Sequence, residues 1–172
     1  GVGTMRMVGV VSREELIAGD GLSFLRGIIA GTQPAPPFAD AMDFELVEAD
    51  EGRVVFAGQP SARFFNPLGT IHGGWTATIL DSAMACAAHA TLKPGEGYTT
   101  LEMKLNYVRP VMPESGMVRC EGKLIHRGNS VITTEGKLVD ARGKLLAHGT
   151  ETCLVFPART RAFSSEADTG SR

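Results

Sequence analysis

The chain has 172 residues, 43% of them hydrophobic, and a net charge of −2, which are ordinary values for one globular domain with its own core. The small charge argues against a nucleic-acid or anionic-membrane partner. No apolar run approaches the length of a membrane span, and residues 1–11 lack the basic and apolar regions of a secretory signal. Cys86, Cys120 and Cys153 are odd in number and match no zinc spacing. We therefore expect a cytoplasmic protein with small buried thiols and no metal.

Residues 1–39 are predicted to form a helical extension. The segment from Ser12 to Glu15 has the pattern of a capping box, which marks the start of a helix. Apolar residues at helical spacing follow it, with an interruption at 19–21. Gly31 and the prolines within 34–37 end this helix.

A hairpin and one long helix come next. Two strands are predicted at about 42–49 and 53–59, with a turn signal at 50–52 between them. Residues 71–91 are dense in alanine and other small residues, and polar groups are sparse all the way round this helix. Such a helix is buried on most sides, and its small side chains allow a sheet to wrap it closely.

The rest of the chain is predicted to be a meander of four strands. They lie at about 98–109, 115–126, 130–140 and 144–156. Short turns between consecutive strands imply antiparallel pairing. We assign residues 40–156 to one domain and 157–172 to a polar, disordered tail. A meander around a helix leaves free edges, so we expect dimerisation through an edge strand.

The residues that best indicate a function lie in the first half of the central helix. Two glycines, Gly73 and Gly74, leave backbone N–H groups uncovered at a helix N-terminus, where negative charge is stabilised. Asp81 is a lone carboxylate two turns into an otherwise apolar helix, where burial is costly. Together they indicate acyl chemistry, with a carbonyl oxygen held at Gly73 and a carboxylate that handles water.

The segment from Asn66 through His72, Gly73 and Gly74 to Asp81 resembles the signature of hotdog-fold acyl-CoA thioesterases of the PaaI-like and THEM2-like branch. The sequences of 98–110, 127–130 and 145–155 also fit that family, and the resemblance covers about residues 40–156.

The resemblance implies an α+β hotdog fold, in which an antiparallel sheet wraps the central helix. It further implies a homodimer with a continuous sheet, often paired into a homotetramer, and acyl-CoA bound at the subunit interface. Thioester hydrolysis in this family needs no metal or redox cofactor.

Five catalytic candidates follow from the resemblance. Asp81 is expected to act as general base on water or as direct nucleophile, and the Gly73 N–H to polarise the thioester carbonyl. Thr100 is expected to help orient water beside the carboxylate. Asn66 lies near the thioester in relatives, and His72 shapes or polarises the site. Asn66 is equally explained as a turn residue and His72 as a helix cap, and these alternatives stay open.

A second set is expected to hold the CoA part of the substrate, because relatives use the end of one strand and a following turn for this purpose and arginine suits phosphate. The simpler alternative for Arg109 and Arg127 is that their side chains are solvated at the surface and bind nothing. Trp75, Ile79 and Met84 are expected to line the acyl pocket, for either an aromatic or a fatty acyl group. The CoA set comprises Gly74, Tyr107, Arg109, Pro110, Arg127, Gly128, Asn129 and Ser130.

Spacing adds a constraint on the site. Gly73 and Asp81 are eight residues apart, roughly 12 Å along one helix, so one thioester carbon cannot readily touch both. We expect the working site to combine Gly73 of one chain with Asp81 of its partner, and an isolated monomer to be inactive.

Three other functions are alternatives to thioester hydrolysis. A non-catalytic acyl-CoA-binding or sensing module needs neither Asp81 nor Thr100, so their presence favours catalysis. A hotdog dehydratase or hydratase needs a catalytic histidine in a different local pattern, which is not seen. The His72-Gly73-Gly74 triplet echoes the oxyanion motif of lipases, but there is no G-x-S-x-G motif.

Overall fold

The computed structural model describes residues 6–158. Three short helices precede a hairpin, one long helix and four more strands. The elements are α1 (Arg13–Ala18), α2 (Gly21–Ala30), α3 (Pro37–Ala41), β1 (Phe44–Asp50), β2 (Arg53–Gly58), α4 (Gly73–His89), β3 (Glu96–Tyr107), β4 (Val118–Arg127), β5 (Val131–Val139) and β6 (Leu145–Pro157), with short 3₁₀ helices at Ala62–Phe64 and Pro113–Ser115.

The predicted N-terminal helix is two helices. Ser12 caps α1 by accepting from the Glu15 N–H, as the capping-box pattern predicts. The interruption at 19–21 is a complete break, because Asp20 starts a new helix by accepting from the Ser23 N–H at 2.9 Å. Gly31, at φ 80°, ends α2 in the left-handed conformation. The sequence analysis missed α3, which starts at a proline in the first helical position.

The six strands form one antiparallel sheet in the order β1-β2-β4-β5-β6-β3. All six predicted strands are confirmed, with ends that move by three residues at most. Among the described residues, β1 and β3 are the edge strands, so β3 presents unpaired backbone groups on its outer side.

The sheet wraps α4 closely because glycines lie where the helix crosses it. Gly122 on β4 pairs with Gly136 on β5, and Gly136 pairs in turn with Gly149 on β6. A Cβ on Gly122 would stand 2.0 Å from the carbonyl oxygen of Ala83, and one on Gly136 would stand 2.8 Å from Met84 Cγ. In this glycine row, Gly122 and Gly136 remove the side chains that would otherwise hold helix and sheet apart, while a Cβ on Gly149 would meet Lys104 of β3. The result is the predicted α+β hotdog architecture.

One stripe of α4 is left partly uncovered. Its members are half-exposed or exposed, and they recur at helical spacing: Gly73, Gly74, Ala77, Thr78, Asp81, Ser82, Ala85 and Cys86. We refer to these eight residues as the open stripe. The remaining faces of α4 belong to the core, where Ile79 and Met84 are fully buried and Trp75 is 3% exposed. These three residues pack in the core under the sheet, and the expectation that they line an acyl pocket stays a prediction.

The N-terminal extension is docked against the end of α4. The Gly21 N–H donates to the carbonyl of Leu92 at 2.9 Å, and α2 packs on β1. A Cβ on Gly21 would clash with the backbone of His89, so the close approach requires glycine. The domain boundaries at 39 and 156 stay predictions, and the predicted disordered tail lies, from residue 159 on, outside the described residues. Within residues 6–158, no helix is both long and apolar enough to cross a membrane.

Candidate active site

The N-terminus of α4 leaves one backbone donor free. Gly73 is the first helical residue, and among the hydrogen bonds of residues 6–158 none uses its N–H. The next N–H, of Gly74, donates to Nδ1 of His72 at 2.8 Å. The ring of Tyr107 lies against Gly73, and its hydroxyl donates to the Gly73 carbonyl at 2.9 Å. The helix start is thus fixed in place while the Gly73 N–H stays available to an anionic oxygen.

His72 and Asn66 shape the loop that leads into this helix. His72 is the N-cap of α4 and its backbone N–H donates to Phe64 at 2.7 Å. The Asn66 amide donates to the Thr70 hydroxyl at 2.8 Å, and its oxygen accepts from the Leu68 N–H at 2.9 Å. Asn66 is therefore a turn residue and His72 a helix cap, which are the structural alternatives that the sequence left open. Their catalytic roles stay predictions.

Asp81 and Thr100 meet at a third residue, Glu151 on β6. The Thr100 hydroxyl donates to Glu151 Oε1 at 2.7 Å. Asp81 Oδ1 and Glu151 Oε2 are both enclosed, and neither has a hydrogen-bond partner among the described residues. The charge of Asp81 is close enough to act on Glu151. We refer to Asp81 and Glu151 as the carboxyl pair. It brings together one residue each from α4 and β6, beside the edge strand β3.

Glu151 and two neighbouring thiols have raised pKa values. Burial, followed by the charge of Asp81, raises the pKa of Glu151 to about 8, despite the hydrogen bond from Thr100. Burial also raises the pKa of the Cys153 thiol to about 12 and that of Cys86 to about 12. Near neutral pH Glu151, Cys153 and Cys86 therefore hold their protons.

Glu151 was not among the site residues predicted from the sequence. Its signal was present in the alternation of β6, where the buried positions Ala147, Gly149, Cys153 and Val155 share one face with Glu151. A carboxylate that is 1% exposed on an apolar strand face needs a partner.

The expected CoA-binding residues fall into two separate groups. Tyr107, Arg109 and Pro110 line a cavity of about 300 Å³ together with Gly73. The Arg109 guanidinium is exposed and donates to the Leu145 carbonyl at 2.7 Å. Gly74 is exposed at the same helix start. This group lies next to the free N–H of Gly73.

The turn at 127–130 lies at the other end of β3. Nη2 of Arg127 donates to both carboxylate oxygens of Glu96, at 2.7 and 2.8 Å, so the charge of Arg127 is already matched. Glu96 begins β3 and Tyr107 ends it, which separates the two groups by roughly 36 Å along the strand. Gly128 donates to Val131 within the turn, while Asn129 and Ser130 are exposed. One chain does not bring this turn to Gly73.

An apolar cavity lies beyond Asp81 toward the C-terminal end of α4. It measures about 270 Å³ and extends between the N-terminal helices and the domain, with Leu16, Phe24, Cys86, His89 and Tyr98 in its wall. The His89 ring packs between Phe24 and Tyr98, and burial lowers its pKa to about 4.

No group of three or more histidine, cysteine or acidic side chains within residues 6–158 is arranged to hold a metal. The absence of a metal or redox cofactor from the reaction stays a prediction. All three cysteines are free thiols, and Cys120 and Cys153 are buried as expected.

A sheet wrapped around one helix, with a free N–H at the helix start and a carboxylate on its open stripe, defines a hotdog protein of the thioester-processing class. Comparison with known proteins agrees. Residues 68–147 match the family model of the thioesterase superfamily, and this match, together with the relatives below, supports a thioester hydrolase.

Individual relatives are similar over most of their length. The chain is 28% identical to human acyl-coenzyme A thioesterase 13 over 74% of this chain and 91% of that protein. It is 26% identical to the 1,4-dihydroxy-2-naphthoyl-CoA hydrolase of Listeria monocytogenes, over 62% and 85%. Among solved structures, a phenylacetic acid degradation-related protein from Ralstonia eutropha JMP134 superposes with a TM-score of 0.69 at 29% identity, over 76% of this chain and 98% of that chain.

Proposed function

We propose that this protein hydrolyses acyl-CoA thioesters to a free acid and CoA. The observation that carries the proposal is the carboxyl pair, which places an ionisable Asp81 on the open stripe of a helix whose first N–H is free. The names of the relatives support the choice of a CoA thioester, since two of them are called a CoA thioesterase and a CoA hydrolase.

In the proposed reaction Asp81 takes a proton from water while the water oxygen attacks the thioester carbon. The carbonyl oxygen becomes negative and accepts a hydrogen bond from the Gly73 N–H. The carbon–sulfur bond then breaks and CoA leaves as its thiolate, which takes up a proton. Direct attack by the Asp81 carboxylate, with later hydrolysis of the anhydride, is the second route open to the same residue.

The working unit is proposed to be a homodimer at minimum, and a homotetramer formed from two such dimers. Within one chain Gly73 and Asp81 are roughly 12 Å apart along α4. The open stripe and the unpaired edge of β3, with Leu101 56% exposed, offer a surface for a second copy. A partner on that surface would supply Gly73 to Asp81 and bring its own 127–130 turn toward the CoA.

We further propose that the acyl group extends from Asp81 into the apolar cavity beside Cys86 and Tyr98. Cys86 lies five residues after Asp81 on α4, roughly 8 Å along the axis. The cavity walls are apolar and aromatic, which suits an aromatic or a medium fatty acyl group. A cytoplasmic location, where acyl-CoA is available, completes the proposal.

The first test measures thiol release from a panel of acyl-CoAs, with phenylacetyl, benzoyl and short to long fatty acyl groups. We expect wild type to turn over at least one class and Asp81→Asn to lose roughly 100-fold or more, because a positioned base is removed while the shape is kept. Ser82→Ala, on the same open stripe, is the matched control and should keep its activity.

Binding of CoA without thiol release from any member would replace hydrolysis with the acyl-CoA-binding module. A fully active Asp81→Asn would leave hydrolysis standing and remove Asp81 from the mechanism.

A further inference from the structure

We infer that Glu151 works in its protonated form, donating a hydrogen bond to Asp81 and so holding Asp81 in position as the base. Glu151 is thus a positioning residue that acts through Asp81. The inference rests on the proposed function and extends it to a residue outside the family signature.

Among residues 6–158, no basic side chain acts on the pKa of Glu151. It lies on β6 between two strands and under α4, and it is 1% exposed. Thr100 is near it on β3, and Thr134 is its register partner on β5. The titratable groups that influence it are Asp81 and Cys153, and more widely Cys86 on α4 and Tyr98 on β3; all are acids.

Two ionised carboxylates side by side in such a place would repel, and each would lose its hydration. A single shared proton removes both costs. Asp81 Oδ1 and Glu151 Oε2 are enclosed without any other described partner, which is the arrangement that one proton between them would satisfy.

The contacts indicate which oxygen carries the proton. Glu151 Oε1 accepts from the Thr100 hydroxyl at 2.7 Å and from the Cys153 thiol at 3.5 Å, so it behaves as the acceptor of a neutral carboxyl group. Oε2 is then the hydroxyl that donates to Asp81. The raised pKa of Glu151 agrees with this assignment.

The consequence concerns the free oxygen of Asp81. Only Oδ1 belongs to the enclosed unpartnered atoms, so Oδ2 stays accessible on the open stripe, where water would be activated. The pair carries one negative charge as long as Glu151 keeps its proton. Above about pH 8, Glu151 ionises, the hydrogen bond to Asp81 is lost, and the two charges push the base out of position.

The experiment compares Glu151→Gln with Glu151→Ala. The glutamine amide can donate to Asp81 and accept from Thr100, as protonated glutamate does, but it cannot ionise. We expect Glu151→Gln to keep kcat within about threefold and to lose the fall in kcat above pH 8 that wild type shows. Glu151→Ala should lower kcat by about tenfold or more with little change in KM, because Asp81 loses its donor.

Glu135→Gln is the matched control, since Glu135 is an exposed carboxylate on the neighbouring strand β5. It should retain the wild-type rate and pH profile. The inference is overturned if Glu151→Gln is as inactive as Glu151→Ala, which would mean that the carboxyl group itself reacts. It is also overturned if both Glu151 variants keep the wild-type rate and profile.

The pH dependence of stability tests whether Glu151 holds a proton in the folded state, without relying on enzymatic activity. A folded-state pKa of about 8 means that folded protein holds a proton that the unfolded chain releases near its ordinary, lower pKa. Stability is therefore lost as pH rises toward 8. We expect the Tm of wild type to fall relative to the Tm of Glu151→Gln as the pH rises toward 8. A difference in Tm that stays constant from pH 5 to 9 would overturn the inference, whether or not any acyl-CoA is hydrolysed.

Discussion

His72 shows how one side chain links the loop to the helix. Its Nδ1 accepts from the Gly74 N–H at 2.8 Å, which satisfies a donor that the helix itself cannot use. The same bond holds Gly74 in place and leaves the neighbouring Gly73 N–H as the free donor. This cap gives His72 a structural role. A variant that keeps the cap can therefore separate that role from the proposed catalytic one.

We expect His72→Ala to lower the free energy of unfolding by about 1 kcal/mol, because the cap is lost. His72→Asn should be close to wild type in stability, since asparagine is a good N-cap residue. Urea unfolding measures both. If His72→Asn keeps stability but loses thiol release, His72 acts on the thioester itself; if both variants unfold like wild type, the cap contributes nothing.

At the level of elements, the glycine row decides how near the sheet comes to α4. Gly122, Gly136 and Gly149 stand side by side on three neighbouring strands. The contact at Gly122 is with backbone, which cannot rotate away as a flexible side chain can. The depth of the helix in the sheet, and with it the approach of Asp81 to Glu151, depends on Gly122 and Gly136, the two members that face α4.

We expect Gly122→Ala to lower the free energy of unfolding by at least about 2 kcal/mol, because its Cβ would overlap the Ala83 carbonyl. Gly19→Ala is the matched control: nothing lies within 4 Å of its Cβ, and it should change stability little. Denaturant unfolding followed by circular dichroism compares the two. Equal stability of the two variants would mean that helix and sheet can separate without cost.

On the scale of the whole molecule, the proposal requires two chains for one site. Gly73→Pro removes the proposed oxyanion donor while placing proline at the first helical position, where it is tolerated. Asp81→Asn removes the base. Each variant alone should lose at least about 100-fold in thiol release.

Mixed and refolded together, the two variants should recover about a quarter of the wild-type rate, because half of the dimers are mixed and one of their two sites is intact. Thiol release after co-refolding measures this, with each variant refolded alone as control. No recovery, in a mixture shown by mass to contain mixed dimers, would place Gly73 and Asp81 of the same chain in one site.

The sequence by itself determined the local features. The capping box at Ser12, the hairpin turn at 50–52 and the small-residue helix from Gly73 were all predictable, because each depends on residues within one turn or one strand. The family signature from Asn66 to Asp81 was readable for the same reason, as it is one continuous segment. The N-terminal break was visible at 19–21, although a second helix start at Asp20 was not inferred.

Only the tertiary structure decided which distant residues meet. Glu151 and Asp81 are seventy positions apart, and they meet because β6 pairs with β3 and lies under α4. The same packing buries Trp75 under the sheet and pairs Arg127 with Glu96, and neither contact is visible within one element. Strand order, register and helix depth are set by packing of the whole core, and no pattern within a single element records them.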